Sequence, residues 1–276
     1  MIVDAHLHVW QAVPNHPNPT VTTVSPVSDV PIGLLRDYMD EYGVDRAVLV
    51  QPLFPGEDNS YVADCARADS ERFAAVCVVD PRKAGAEDRL EHWVSEYGCR
   101  GLRLRPGVPG EKEAFSHPNT YPLWERADAL DVVVNVLCNA DDVPAIAEMA
   151  ERFPGVNILI DHMGHPDVAA GVDASPFQAL LGLARHERVH VKPSGYTYCS
   201  HEAYPHKDCW NIFHALYDSF GPARLVWGSD FPHILLKTGY RRCLLLQERA
   251  YTYLSPSELR LIMGENAARL YWREFE

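Results

Sequence analysis

Arg46-Ala47-Val48-Leu49-Val50-Gln51 reads as a short strand whose four central residues are all apolar. A strand with one wet face alternates apolar and polar residues. An unbroken apolar run is what a parallel strand shows when helices cover one face and a packed interior covers the other. The same character recurs along the chain, as in Val132-Val133-Val134 and Ile158-Leu159-Ile160. Strands are expected at residues 2–8, 46–51, 73–79, 101–105, 132–137, 157–161, 189–192 and 225–228, eight in all.

Amphipathic stretches of helical period lie between them, at residues 34–42, 61–70, 86–97, 123–130, 143–153, 177–185 and 210–220. Gly43, Gly98, the pair Pro154-Gly155 and the pair Gly221-Pro222 follow four of them, where a helix stops. Ser255-Pro256-Ser257-Glu258 has the spacing of a capping box with proline at the first helical position. It opens a last helix through Met263, and residues 265–272 continue or follow it. Eight strands alternating with helices predict one α/β domain over residues 1–276, a (β/α)8 TIM barrel with its active site at the C-terminal face of the strands. A doubly wound sheet is the runner-up, but no G-x-G-x-x-G or P-loop pattern opens any helix. Residues 14–31, rich in Pro, Thr, Val and Ser, follow the first strand and are expected as a long loop on the active-site face.

With 38 acidic and 25 basic residues in 276, the net charge is −13, which repels phosphate backbones and anionic lipid. Nucleic-acid and membrane-surface binding are therefore not expected, nor is a membrane span, since no apolar run approaches the ~20 residues one needs. Met1-Ile2-Val3-Asp4 has neither the basic nor the apolar region of a signal peptide. Seven cysteines without a C-x-x-C pair read as reduced thiols of a cytoplasmic protein. The expected partner is a small-molecule substrate, and association into a homo-oligomer stays open.

The chemistry starts in Asp4-Ala5-His6-Leu7-His8. Residues two apart on a strand share a face, so His6 and His8 point together while Ala5 and Leu7 point oppositely. The strand that follows Asn157 runs into Asp161-His162-Met163-Gly164-His165-Pro166, and the eighth into Gly228-Ser229-Asp230-Phe231-Pro232-His233. Three strand ends thus deliver His6, His8, His162 and Asp230 to one face, an N3O set suited to one divalent ion such as zinc. The competing reading of His162 is a hydrogen-bonded structural imidazole, and that of Asp230 a helix cap. In Gly101-Leu102-Arg103-Leu104-Arg105 the leucines share one face and the arginines the other. Both guanidiniums are expected inward, each needing an internal carboxylate or a substrate carboxylate as partner. Lys192, Tyr196 and Tyr198 at the end of the seventh strand, and His165 and His233, are further candidate substrate contacts. His190 shares the inward face with Lys192, whereas His186, His201, His206 and His214 are expected in loops or on helix surfaces. Gly228 and Ser229 are expected to let substrate approach the backbone.

D-A-H-L-H-V-W, D-H-M-G-H-P, V-K-P-S-G, G-S-D-F-P and the terminal G-E-N-A-A-R-L-Y, in this order over essentially the whole chain, resemble the amidohydrolase-related family of the amidohydrolase superfamily. The resemblance implies a (β/α)8 barrel in which His6 and His8 match the first-strand pair, His162 the later-strand histidine and Asp230 the last-strand aspartate. K-x-S-G and G-S-D-[FW]-P resemble the branch of lactonases acting on pyrone-dicarboxylate and sugar lactones, and Arg103 matches that branch's G-[IV]-R arginine. His165 stands where the branch commonly has lysine. Asn135 stands on the strand where binuclear relatives carry a bridging lysine, which implies a mononuclear site. Some lactonases of the branch work without metal.

These features predict a hydrolase of a small, carboxylated lactone or related cyclic ester. Metal or Arg103 would polarise the carbonyl, and Asp230, with His162 beside it, would move the proton. The alternatives are a metal-dependent decarboxylase or hydratase of an aromatic or unsaturated acid, and a barrel that binds without turnover.

Overall fold

The computed structural model of the protein describes residues 1–11, 29–52, 56–106 and 113–274. Most of the expected 14–31 loop lies outside them. Seven parallel strands pair in chain order: β1 (Val3–Leu7), β2 (Arg46–Val50), β3 (Phe73–Val78), β4 (Gly101–Leu104), β5 (Val133–Val136), β6 (Ile158–Ile160) and β7 (Val189–Val191). Each is one residue shorter than expected at one or both ends, where the ladder frays.

The eighth expected strand is not one among the described residues. Backbone donors of this stretch and of the turn just after it go to three different places, so no ladder of consecutive pairs forms. Val226 N donates to Val191 O of β7 (3.0 Å), Trp227 N to Ile262 O (2.9 Å) and Asp230 N to His6 O of β1 (2.8 Å). Single parallel bridges, Val191 with Leu225 and Leu7 with Phe231, still join this stretch to both β7 and β1. The sheet is therefore curled, its first and last strands flanking one segment.

Helices α1 (Ile32–Tyr42), α2 (Ser60–Ala68), α3 (Ala86–Ser95), α4 (Tyr121–Ala129), α5 (Val143–Arg152), α6 (Ser175–Gly182) and α7 (Trp210–Phe220) follow the expected pattern. α8 (Tyr240–Ala250) was not anticipated. The capping box at Ser255 and Glu258 is formed in both directions and opens α9 (Pro256–Arg260). A π-helical turn then leads into α10 (Asn266–Trp272).

Alternation along the strands divides the apolar residues into two layers. Leu49, Cys77, Leu104, Val136, Ile160 and Val191 pack outward against the helices, through residues such as Leu35, Leu90, Trp124, Ile146 and Phe213. Val3, Ala5, Val48, Val50, Ala74, Val76, Val133, Leu159 and Val226 fill the inside of the curl, closed from below by Ala267 and Tyr271 of α10. Each large aliphatic side chain so enclosed contributes about 1.5–3 kcal/mol. That apolar plug is the floor on which the polar site stands. No described helix is long and apolar enough to cross a membrane.

Candidate functional site

β1 breaks its own alternation, and the break serves the site. Asp4 pairs with Ala47 but Leu7 with Leu49, so three steps along β1 match two along β2. This extra residue is a bulge, which re-aims the side chains beyond it. Strict alternation puts Ala5 opposite His6; instead Ala5 belongs to the inner apolar layer and His6 also points inward. Above the bulge the rule resumes, with Leu7 and Val9 outward and His6 and His8 together, ring centroids 5.1 Å apart.

His162 arrives by a different device. His162, Met163, Gly164 and His165 all have left-handed backbones, φ 52°, 57°, 70° and 48°. Each non-glycine residue there costs about 1–2 kcal/mol, so the surrounding packing must hold it in place. Asp230 is left-handed as well, at φ 62°. The motif glycines make room for the histidines. A Cβ on Gly195 would lie 2.6 Å from His162 Cβ, and one on Gly228 would lie 2.7 Å from His6 Cβ. Gly228 is thus small for His6 rather than for substrate.

Asp230 Oδ1 lies 3.5 Å from His8 Nε2, 3.7 Å from His6 Nε2 and 3.9 Å from His162 Nε2. These distances are too long for hydrogen bonds. They approach the spacing of ligands that share one ion, since metal bonds of about 2.0–2.1 Å at the tetrahedral angle set donors about 3.4 Å apart. His6 Nε2 and Asp230 Oδ2 are buried with no hydrogen-bond partner among the described residues. His8 Nδ1 lies 2.8 Å from the Val50 carbonyl, which can only accept, so Nδ1 carries a proton and Nε2 is the nitrogen turned toward Asp230. Asp161 Oδ1, 3.2 Å from His6 Nδ1, can do the same for His6. Burial pushes His162 down to about 3 and His6 well below the usual imidazole range. Burial alone would raise the Asp230 carboxyl, but His162, His8 and His6 outweigh it and hold the group well below the carboxylate range. Imidazole nitrogens converging on one carboxylate oxygen at these spacings fit one divalent ion. His233 forms a second, overlapping group with His8 and Asp230.

Beneath this cluster lies a saturated one. Asp161 accepts from Arg103 Nε through Oδ2 (3.1 Å) and from Lys192 Nζ through Oδ1 (2.9 Å). Arg103 points inward as expected and is buried, while Leu102 and Leu104 pack outward. No hydrogen bond from its Nη nitrogens is found among the described residues. Arg105 corrects the alternation: it lies past the end of β4 and is exposed. Lys192 is inward but fully buried, its Nζ enclosed by Asn135 Oδ1 (2.7 Å), Asp161 Oδ1 (2.9 Å) and His6 Nδ1 (3.0 Å). No face of it remains for substrate.

Tyr196 also departs from its expected place. It lies in the core with its hydroxyl 3.3 Å from that of Tyr251 and its ring stacked on His206. His206, expected in a loop or on a helix surface, does lie in a loop but is buried there and bonded to Thr238 and Glu202. Tyr198 takes the site position instead, 46% exposed, with ring centroids 5.8 Å from His162, 6.3 Å from His165 and 6.5 Å from His233. His165 Nδ1 is 3.0 Å from the Cys138 carbonyl, and His233 lies 5.6 Å from His8. Sequence reasoning did not single out Asp161 or Asp4, and it marked Asn135 only as standing where binuclear relatives carry a lysine. Asp161 had a signal, since it precedes His162 at the end of an inward-facing strand.

The amidohydrolase family matches residues 3–273 of the chain. An L-fucono-1,5-lactonase of Burkholderia ambifaria is 30% identical over 277 residues, spanning 98% of this chain and 94% of that one. A 4-sulfomuconolactone hydrolase of Rhizobium radiobacter is 31% identical over 244 residues, 83% of this chain and 75% of its own. Among solved structures, an amidohydrolase of Burkholderia multivorans with bound zinc superposes with a TM-score of 0.86 at 25% identity, covering 99% of each chain.

Proposed function

Since the chain belongs to the amidohydrolase family, we propose that it is a hydrolase that opens a small lactone or related cyclic ester, preferentially one carrying a carboxylate. The observation that carries this is the open Asp230 carboxylate, ringed by three imidazole nitrogens at 3.5–3.9 Å with Arg103 close by. The two curated relatives, named for lactone substrates, support ring opening over decarboxylation. The curled sheet and the stretch through Phe231 that touches both its edges support a complete (β/α)8 barrel with this cluster at the strand ends. Seven unpaired cysteines support a cytoplasmic setting.

His6, His8, His162 and Asp230 would hold one divalent ion, with zinc supported by the zinc-bound relative. Such an ion supplies Lewis acidity toward an ester carbonyl. The chain's own groups do the rest. Arg103, anchored through Nε by Asp161, presents its Nη edge to a substrate carboxylate and stabilises the developing oxyanion. Asp230 takes a proton from the attacking water and returns it to the leaving alkoxide. Tyr198, His165 and His233 line the mouth and orient the ring.

The test is a panel of sugar-acid and dicarboxylate lactones and aryl carboxylates, read by acid release and by carbon dioxide. Acid release from lactones, fastest with carboxylated ones, is expected. Carbon dioxide from an aryl acid, or no turnover of any lactone, overturns the reading.

A further inference from the structure

The Lys192 ammonium is held from below as well as from the site. Asn135 Oδ1 lies 2.7 Å from Lys192 Nζ and accepts a second bond, also 2.7 Å, from the hydroxyl of Tyr271. Asn135 Nδ2 donates to Val133 O at 3.2 Å, which fixes which way the amide faces. Tyr271 belongs to α10, the helix that closes the interior from the end opposite the imidazole cluster. Burial pushes its hydroxyl up, so it remains a donor throughout the working pH range. The side chains therefore run without a gap from α10, through the amide on β5 and the ammonium at the end of β7, to His6 Nδ1 on β1.

Packing alone does not require this hydroxyl, because the Tyr271 ring already lies among Val133, Leu159 and Ala267 in the inner apolar layer. Nor does Lys192 need it for charge, which Asp161 supplies. What the hydroxyl adds is a second fixed bond on Asn135 Oδ1, so that the amide oxygen has one position and the ammonium one seat. His6 Nδ1 stands 3.0 Å from Lys192 Nζ, which can bond it only when it is unprotonated, and 3.2 Å from Asp161 Oδ1, which can bond it only when it carries the proton, so the seat of the ammonium bears on which tautomer of His6 the site holds. We propose that Tyr271 is a positioning residue of the site, acting through Asn135 and Lys192 on the setting of His6. A partner bonded directly to a ligating histidine typically changes affinity or rate by about 10–100-fold, and Tyr271, acting through two intervening side chains, is expected at or below the lower end of that range.

The proposal rests on the hydrolase reading only for its kinetic readout, so the deciding measurement is made without substrate. Side-chain 15N resonances of the histidines are compared between the wild-type protein and Tyr271→Phe, which keeps the ring. The His6 Nδ1 and Nε2 resonances are expected to move while those of His214, exposed on α7, stay in place. In the kinetic arm, kcat for a lactone is expected to fall about tenfold with KM little changed. Combining Tyr271→Phe with Asn135→Ser should cost no more than Asn135→Ser alone, because the path is already cut. Should Tyr271→Phe not fold, Asn135→Ser cuts the same path from the other side and must move the same His6 resonances. Unmoved His6 resonances in the folded variant, or additive losses in the pair, overturn the proposal. Absence of lactone turnover in the wild-type protein would overturn the functional reading and leave the resonance result to decide this one.

Discussion

Asp161 and Asp230 are both buried at the carboxyl ends of the same curled sheet, yet their surroundings are opposite. Asp161 is surrounded by Lys192, Arg103 and His6, all within 3.2 Å. Among the described residues Asp230 has no hydrogen-bond partner for Oδ2, and around the carboxylate stand three imidazole nitrogens at 3.5–3.9 Å from Oδ1 and the Tyr198 hydroxyl. A saturated carboxylate holds its neighbours in place, whereas an unsaturated one in a dry site is kept for something that arrives. The lower cluster is saturated with partners, and on the proposed reading the upper one carries the chemistry.

Substituting each carboxylate by its amide separates the two roles. Asp230→Asn should leave the fold intact and the melting temperature equal or higher, while lactone opening falls by about 10²–10⁴, the size of a lost proton transfer. Steady-state rates beside a thermal melt check this; near wild-type kcat in a folded variant would break the comparison. Asp161→Asn should do the reverse first. Lys192 and Arg103 would share a buried site without a counter-charge, costing about 3–5 kcal/mol in urea unfolding. A variant as stable as wild type would show that Asp161 is not the anchor.

Asp4, on the outer side of the β1 bulge, gives a third carboxylate and a pH-dependent contrast. Burial pushes it up to about 6, opposed by hydrogen bonds from Ser229, Tyr240 and the His6 amide. Its folded value exceeds the unfolded one near 3.9, so the folded state binds more protons between these values and this group's contribution to stability falls as pH rises across them. The loss amounts to about 3 kcal/mol. Asp4→Asn cannot titrate, so the stability difference should shift in the variant's favour from pH 4 to pH 6.5. Parallel stability curves would show that Asp4 is already ionised when folded.

The smallest effect expected is at Arg103, which belongs to both clusters. Arg103→Met should cut kcat/KM for a carboxylated lactone by about tenfold to a hundredfold and spare a neutral one. Equal losses on both substrates, or an unfolded variant, would assign the arginine to Asp161 alone.

What could be read without a structure follows the same division. Alternation predicted the inward faces of β4 and β7, and it holds wherever the ladder is regular: Leu102 and Leu104 outward, Arg103 and Lys192 inward. It failed where the backbone leaves the ladder. The bulge in β1 turned Ala5 inward. The end of β4 released Arg105 to solvent. The turn at Gly195, φ 72°, reset the period so that Tyr198 rather than Tyr196 faces the histidines. Likewise the segment after Arg224 has strand-like residues but spends its donors on three partners, one of them in the chain's last helical region. Nothing local in its sequence announces that. The histidines and Asp230 were legible because their residue types are rare together, whereas Asn135 and Tyr271 are chemically ordinary until the fold joins them.

The most direct test of the upper cluster as a single-ion hydrolytic centre is a titration. Protein stripped by chelator is given zinc in steps while lactone opening is followed at each step. The account predicts that activity rises in proportion and stops rising at about one equivalent per chain, the capacity of one tetrahedral N/O site. A plateau at two equivalents, or full activity before any zinc is added, would contradict it.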